Sequence, residues 1–517
     1  MLFKSLPLSL ELGLGIVFVL VYRELYNRAR DRRPPGPRGL PILGNILQIR
    51  KLPWVKFANW AQTYGPVFRL NIAGQDMIIL NNNKTAADLL DRRSVMYSDR
   101  PRNIVARMLT GDMVFTFAQV GSQWRRMRRA AHDALGPQVA KNYHPLQERE
   151  AVVLVEQMLQ APEQFDDHIK RASASLVMAI IYGTPIMESD DRRVDEIQKH
   201  VARTLASLAP GAFLVEYLPF MEKLPRWMSG WRRYAEHWYK VDSAMLTGFF
   251  YDTKTRKESG DDGPSVAATL LDAMGSDGLP MLDAAWLSAA LYAAGAETSS
   301  GQMEWFMMAM LLHPEAQKIA QRQIDEVVGR GRMPTFADYD QLPYVRAVVK
   351  EVLRWRPVLP LGIPHRLSQD DWYEGHYIPK DSVVISNVWG LNHDPEVYGD
   401  DADFFRPERH LNDNGDLSVP LRDTKDEGHF AYGFGKRICI GRHVANRSLF
   451  IEAAAVLWSF NIEPVKDADG SPVIPEPRPF REDSLALRPA PFPCNITPRS
   501  NDVAAIVAHT KHIVVDN

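Results

Sequence analysis

Cysteine is nearly absent from this chain: Cys439 and Cys494 are the two in 517 residues. They could form one disulfide at most, and a chain able to bury a core this large needs none, which suits a reducing compartment. Charge of one sign is also missing. A net charge of −2 argues against a protein that tracks a nucleic-acid backbone. No Ser/Gly-rich linker, repeat or low-complexity run divides the chain after its first forty residues, so one large body is expected. No flavin or nicotinamide fingerprint appears, and electrons for any redox chemistry would have to come from another protein. What is present, 45% hydrophobic and 24% charged residues, is the composition of a globular protein rather than a disordered one.

Long apolar runs are scarce, and the one at the N-terminus differs in kind. Residues 6–22, "LPLSLELGLGIVFVLVY", are followed by Arg23, Arg28, Arg30, Arg32 and Arg33. The run reads as a single-pass membrane anchor over residues 1–23, with the body on the cytoplasmic side by the positive-inside rule. A helix of that length spans roughly 25 Å, short for a bilayer, and Glu11 lies within it, so an interfacial helix is the alternative. Residues 24–45, basic and then rich in Pro and Gly ("RRPPGPRGLPILGN"), read as a stiff hinge, and 46–517 as the catalytic body.

Helical periodicity dominates that body. Segments 121–135, 146–159, 191–208, 226–251, 283–313, 343–355 and 442–458 carry it, while 67–72, 77–80 and 382–387 are the best strands. The fold is expected to be mainly α with a minor β lobe. Segment 283–313 is apolar on nearly all sides, about 45 Å long if helical, and reads as a buried core helix with Asp283 as N-cap. Within it "AGAETS" (294–299) is locally odd, because Gly295 lowers helix propensity and Glu297 needs a partner.

The remaining cysteine question centres on "YGFGKRICIG", 432–441. Glycines at 433, 435 and 441 allow close approach of the chain to something flat, and Lys436 and Arg437 favour a thiolate at Cys439. A metal ligand and a nucleophile both remain open on these residues. Zinc is disfavoured, because no second Cys lies at zinc-like spacing and His443 is the lone nearby His.

The run resembles the cysteine-ligand loop of the cytochrome P-450 superfamily, Phe-x-x-Gly-x-Arg-x-Cys-x-Gly, with Gly435, Arg437, Cys439 and Gly441 in register and Tyr432 where the pattern has Phe. Three further motifs follow the family's order. "AGAETS" resembles its oxygen-activation segment: Gly295 would leave room for dioxygen and the acid–alcohol pair Glu297 and Thr298 would pass protons, the alternative being a Thr298 hydroxyl bonded back to the Ala294 carbonyl. "EVLR" and "FFRPERH" resemble the ion triad of Glu351, Arg354 and Arg409, whose implied role is structural. "WRRMRR" resembles a propionate clamp of Trp124 and Arg128, joined by His365, Arg437 and, in "YSDRPR", Arg100.

The resemblance implies a cytochrome P-450 fold with haem b between two core helices and Cys439 as axial iron ligand. It implies a monooxygenase that inserts one oxygen atom of O2 into a hydrophobic substrate. Electrons would come from NADPH through a separate FAD/FMN reductase docking on Arg125, Arg126, Arg129, Lys436 and Arg442, with cytochrome b5 as an optional second donor. The body would face the cytosol from the endoplasmic reticulum, with no nucleic-acid partner. Segments 102–117, 205–220, 291–298, 358–363 and 483–487 would line the substrate pocket, and their apolar character suggests a terpenoid or polyketide. The wording of the hinge and of "GRHVANRSLF" resembles fungal members of secondary metabolism. The alternatives are a reductase-independent haem-thiolate isomerase or dehydratase, and a non-enzymatic haem-binding protein.

Overall fold

The computed structural model describes residues 32–515 except 186–190, 210, 261–262, 275–277, 420, 478–479 and 482–485. The expected anchor, 1–23, lies outside the described residues, as does most of 483–487. No helix among the described residues is long and apolar enough to cross a membrane.

Eight helices frame the interior: α1 (Ser122–Leu135), α2 (His144–Gln160), α3 (Phe165–Tyr182), α4 (Arg192–Leu208), α5 (Gly230–Glu258), α6 (Met281–Leu312), α7 (Pro343–Trp355) and α8 (Arg442–Ser459). Helix α6 is the axis of two cores. Its C-terminal half packs Met303, Trp305 and Met307 with Val348 and Val352 of α7 and Leu449 and Phe450 of α8. Its N-terminal half packs Trp286, Leu287 and Tyr292 with Met127 of α1, Ile181 of α3 and Leu246 of α5. A helix enclosed on every side has no polar stripe to display, which is why its sequence is apolar all round. It begins after Pro280, and Asp283 sits in its first turn instead of capping it.

Helix α3 carries no readable period because LVMAIIY, its last turns, is buried at every position but Val177. Helix α5 starts four residues later than expected and runs to Glu258. A four-stranded sheet supplies the β lobe. Strands β1 (Val67–Ile72), β2 (Gln75–Leu80), β3 (His365–Arg366) and β4 (Val383–Ser386) lie in the order β1-β2-β4-β3, with β2 parallel to β4 from Met77↔Val383 to Leu80↔Ser386. Near the C-terminus β5 (Phe480–Arg481) pairs with β6 (Arg488–Pro489).

The expected hinge is described from Arg32 onward, and there it is fastened to the sheet. Arg33 pairs with Asp76 at 2.9 Å, and the Pro35 carbonyl accepts from the Arg69 N–H of β1 at 2.7 Å. A side chain at Gly36 would fall 1.9 Å from the Arg69 carbonyl oxygen, so the chain passes too close to the strand for anything but glycine.

Candidate functional site

Asp283 to Ala289 and Ser300 to Leu311 are buried on α6, but residues 293–299 are half-buried. Ala293, Ala296 and Glu297 among them line a cavity. The cysteine loop and the first turns of α8, Gly441 to Arg447, show the same half-burial where the rest of α8 is buried. Ile440 and Val444 share one apolar cluster with Ala293, Ala296 and Trp124, which brings the loop against the middle of α6.

The loop's glycines act by conformation and by contact. Gly433 and Gly435 have φ of +72° and +56°, and a side chain at Gly435 would fall 2.1 Å from the Leu90 carbonyl oxygen. The Cys439 N–H donates to the Tyr432 carbonyl at 2.9 Å. Burial pushes the Cys439 thiol up, against the Gly441 backbone N–H and the Arg128 and Arg442 guanidiniums, which pull it down. Lys436 is exposed. Among the described residues no group of three His, Cys, Asp or Glu side chains could hold a metal ion, so Cys439 suits a metal that brings its other ligands with it.

A cluster of cations converges nearby. Arg437 donates to the carbonyls of Ser98 (2.8 Å) and Ala118 (2.6 Å), and its guanidinium lies 4.1 Å from the Trp124 ring centre. Arg100, buried, donates to the carbonyls of Thr116, Ile363 and Pro364 at 2.7–3.0 Å. The His365 ring nitrogen Nδ1 bonds the Tyr97 carbonyl at 2.7 Å, and Arg128 donates to the Ile438 carbonyl at 2.8 Å. Among the described residues none of these arginines forms an ion pair. Burial lowers the pKa of all three, and Arg437 comes down to about 9. Most telling, the buried Trp124 indole N–H has no acceptor. Buried donors are almost always satisfied. Unpaired cations around an unsatisfied donor form a seat for an anion.

On α6 the expected roles divide. The Thr298 hydroxyl donates to the Ala294 carbonyl at 2.7 Å, the back-bonded alternative. At Gly295 a side chain would meet Val177 of α3 at 3.0 Å, so this glycine permits close helix packing. Glu297 pairs at 3.4 Å with Arg488, a buried residue of β6 that sequence reasoning missed. Arg488 also bonds Ser300 at 2.6 Å and pairs with Glu304. Burial, with Asp166 alongside, pushes Glu304 up to about 8 although Arg488 opposes this. Glu297, Ser300 and Arg488 wall a cavity of about 270 Å3 with Lys170, Leu205 and Ala296. The cations at this cavity, Arg488 and Lys170, come from outside the expected lining segments.

The expected triad is assembled in full. Arg354 holds Glu351 through two bonds of 2.7 Å, and Arg409 adds one of 3.0 Å. His410, unforeseen in sequence, bonds the same carboxylate at 3.0 Å, as does the Arg406 backbone N–H at 2.8 Å. These donors hold Glu351 down at about 2 against its burial. Arg354 also donates to the Asn392 carbonyl, and the Asn392 side chain accepts the Phe430 N–H at 2.9 Å, leading to the cysteine loop. Glu351 and Arg354, i, i+3 on α7, are adjacent by helix geometry alone.

A family model described as Cytochrome P450 matches residues 34–492. This chain belongs to the cytochrome P450 family. Its relatives include a cytochrome P450 monooxygenase of Armillaria gallica, 48% identical over 502 residues, 97% of this chain and 96% of the relative. Cytochrome P450 monooxygenase 58 of Postia placenta is 45% identical over 98% of this chain and 95% of its own length. A solved zebrafish cytochrome P450, recorded with abiraterone, superposes with a TM-score of 0.68 at 23% identity, covering 87% of this chain and 100% of its own, and so shows the same fold. The protein is thus a haem-dependent monooxygenase that depends on a redox-partner reductase for electrons.

Proposed function

We propose that Cys439 is the axial haem ligand, that Trp124, Arg128, His365, Arg437 and Arg100 receive the propionates, and that the enzyme oxidises a hydrophobic substrate in fungal secondary metabolism. The unsatisfied Trp124 N–H among unpaired arginines carries the haem placement, because two carboxylates would satisfy the donor and balance the charge together. Bound haem supplies the activation of dioxygen and the insertion of one oxygen atom into the substrate. The chain's own residues do the rest. Glu351, Arg354 and Arg409 hold the cysteine loop through Asn392. Glu297, on α6 at the cavity wall, and Thr298 would relay protons once the hydroxyl leaves the Ala294 carbonyl: the hydroxyl gives up its own proton on the far side as it takes one from Glu297, which is reprotonated from water.

Leu205, Val201, Ala202, Ala293 and Ala296 give the cavity an apolar wall, and Arg488, Glu297 and Ser300 a polar corner. That division suits a terpenoid or polyketide with an oxygenated end. Arg125, Arg126, Arg129 and Lys436 are exposed and offer a basic docking face to an NADPH-fed FAD/FMN reductase or cytochrome b5. Arg442 belongs less to that face, since it turns toward Glu427 at 3.6 Å. The apolar run at 6–22 and the arginines after it support a single-pass anchor in the endoplasmic reticulum, a hinge over 24–45 and a cytosolic catalytic body.

The test is the reduced, CO-bound spectrum of the purified protein. A red-shifted Soret band that disappears in C439S is expected; its absence from the unaltered protein would overturn the ligand assignment. Incubation with a reductase, NADPH and candidate terpenoids or polyketides should then yield products heavier by one oxygen.

A further inference from the structure

A ring of polar contacts begins and ends on the main chain of Cys439. The Cys439 N–H donates to the Tyr432 carbonyl at 2.9 Å. The Tyr432 hydroxyl donates to Asn446 Oδ1 at 2.7 Å, and Asn446 Nδ2 donates to Glu427 Oε2 at 2.8 Å. Glu427 Oε1 lies 3.6 Å from Arg442 Nε, and Arg442 Nη1 returns to the Cys439 carbonyl at 3.2 Å. From outside the ring, Lys350 of α7 donates to the Glu427 carbonyl at 2.7 Å.

We propose that Tyr432 is a positioning residue whose hydroxyl closes this ring and so fixes the Cys439 backbone relative to α8. The proposal rests on the reading of Cys439 as the haem ligand. The direction of each bond follows from chemistry. The Glu427 carboxylate accepts only, so it takes the Asn446 NH2 and turns the amide oxygen toward the phenol, which must donate. Phenylalanine, which the family pattern has here, would fill the ring's space but leave that oxygen without its donor. A ring that engages both the N–H and the C=O of one residue holds that residue against rotation as well as translation. The distance from sulfur to whatever it binds is then set by Tyr432 and Asn446 as well as by the glycine loop.

The experiment follows the reduced CO complex of the full chain at fixed temperature, recording the rate at which the thiolate Soret band converts to the band of a protein that has lost thiolate ligation. Y432F should speed conversion about fivefold, the scale of one lost buried hydrogen bond, and N446L, which removes both the bond from Tyr432 and the bond to Glu427, by at least as much. The double variant should be no faster than N446L, because both substitutions open the same ring. The unfolding midpoint by circular dichroism should stay unchanged in Y432F. A conversion rate equal to the unaltered protein's, effects that multiply in the double variant, or a midpoint that falls in step with the rate would each overturn the proposal. Should Y432F not retain haem, E427Q opens the ring at another joint while keeping the phenol. Faster conversion in E427Q supports the proposal and an unchanged rate sinks it. If the unaltered protein lacks the thiolate band altogether, the assignment of Cys439 fails first and takes this proposal with it, which separates the two failures.

Discussion

The cysteine side and the α6 side of the interior handle buried charge in opposite ways. Around Glu351 each oxygen accepts from several dedicated donors on α7 and on the segment 406–410, and Arg354 spends its remaining donors on the Asn392, Ala402 and Phe404 carbonyls. Across the cavity one guanidinium, Arg488, is divided among Glu304, Ser300 and Glu297, reaching the last at 3.4 Å, and the Thr298 hydroxyl is bound to its own helix. The first arrangement has one solution and holds a loop still. The second leaves Glu297 loosely tied, which fits the proton-exchanging role proposed for it. A saturated network makes a seat, and a shared one makes a working face.

The largest effect should come from breaking the saturated side. R354A strands a buried carboxylate and should cost about 3–5 kcal/mol with loss of bound haem, read by unfolding and haem content; a loss no greater than that of R488A would erase the contrast. Next comes acid and alkaline stability, where the two sides should differ in sign. Glu351 is held near 2, below its ordinary 4.5, so its contribution is full above about 4.5 and lost as pH falls toward 2. Glu304 is pushed up to about 8, so its contribution is full below about 4.5 and lost as pH rises through 8. Denaturant unfolding across pH should show E351Q flattening the fall below about 4.5 and E304Q the fall between about 4.5 and 8.

A smaller effect is expected at the anion seat. W124F keeps the ring but removes the orphan donor, and haem affinity measured by transfer to apomyoglobin should weaken about fivefold. Smallest is Gly295. G295A gains about 1 kcal/mol of helix propensity but crowds Val177, so alone it should change unfolding little. On a V177A background the same change should stabilise by about 1 kcal/mol, and failure to do so would show that Val177 is not what the glycine accommodates.

Much of the site was readable from spacing. Glu351 and Arg354 meet because they are three residues apart on a helix, and the "YGFGKRICIG" loop declares itself through glycines at fixed offsets from Cys439. The residues that complete the networks were not readable. His410 adjoins a recognised motif but carries no periodic signal, and Arg488 lies 191 positions from Glu297. Asn446 becomes the partner of Tyr432, and Glu427 that of Asn446, only in the folded chain, since the residues lie 14 and 19 positions apart. Helix α3 escaped notice because the near-complete burial of its last turns removes the polar alternation that marks a surface helix.

Periodicity in the sequence declared the helical body, and short motifs resembling a known family pointed to the cysteine loop, the acid–alcohol pair on α6 and the ion triad, whose Arg409 lies 58 positions from Glu351. Tertiary structure alone decided which donor is left unsatisfied at Trp124, which carboxylates share Arg488, what Gly295 accommodates and where the Tyr432 hydroxyl goes. Those outcomes depend on which distant side chains reach the same few ångströms of low-dielectric space, and only packing brings them there.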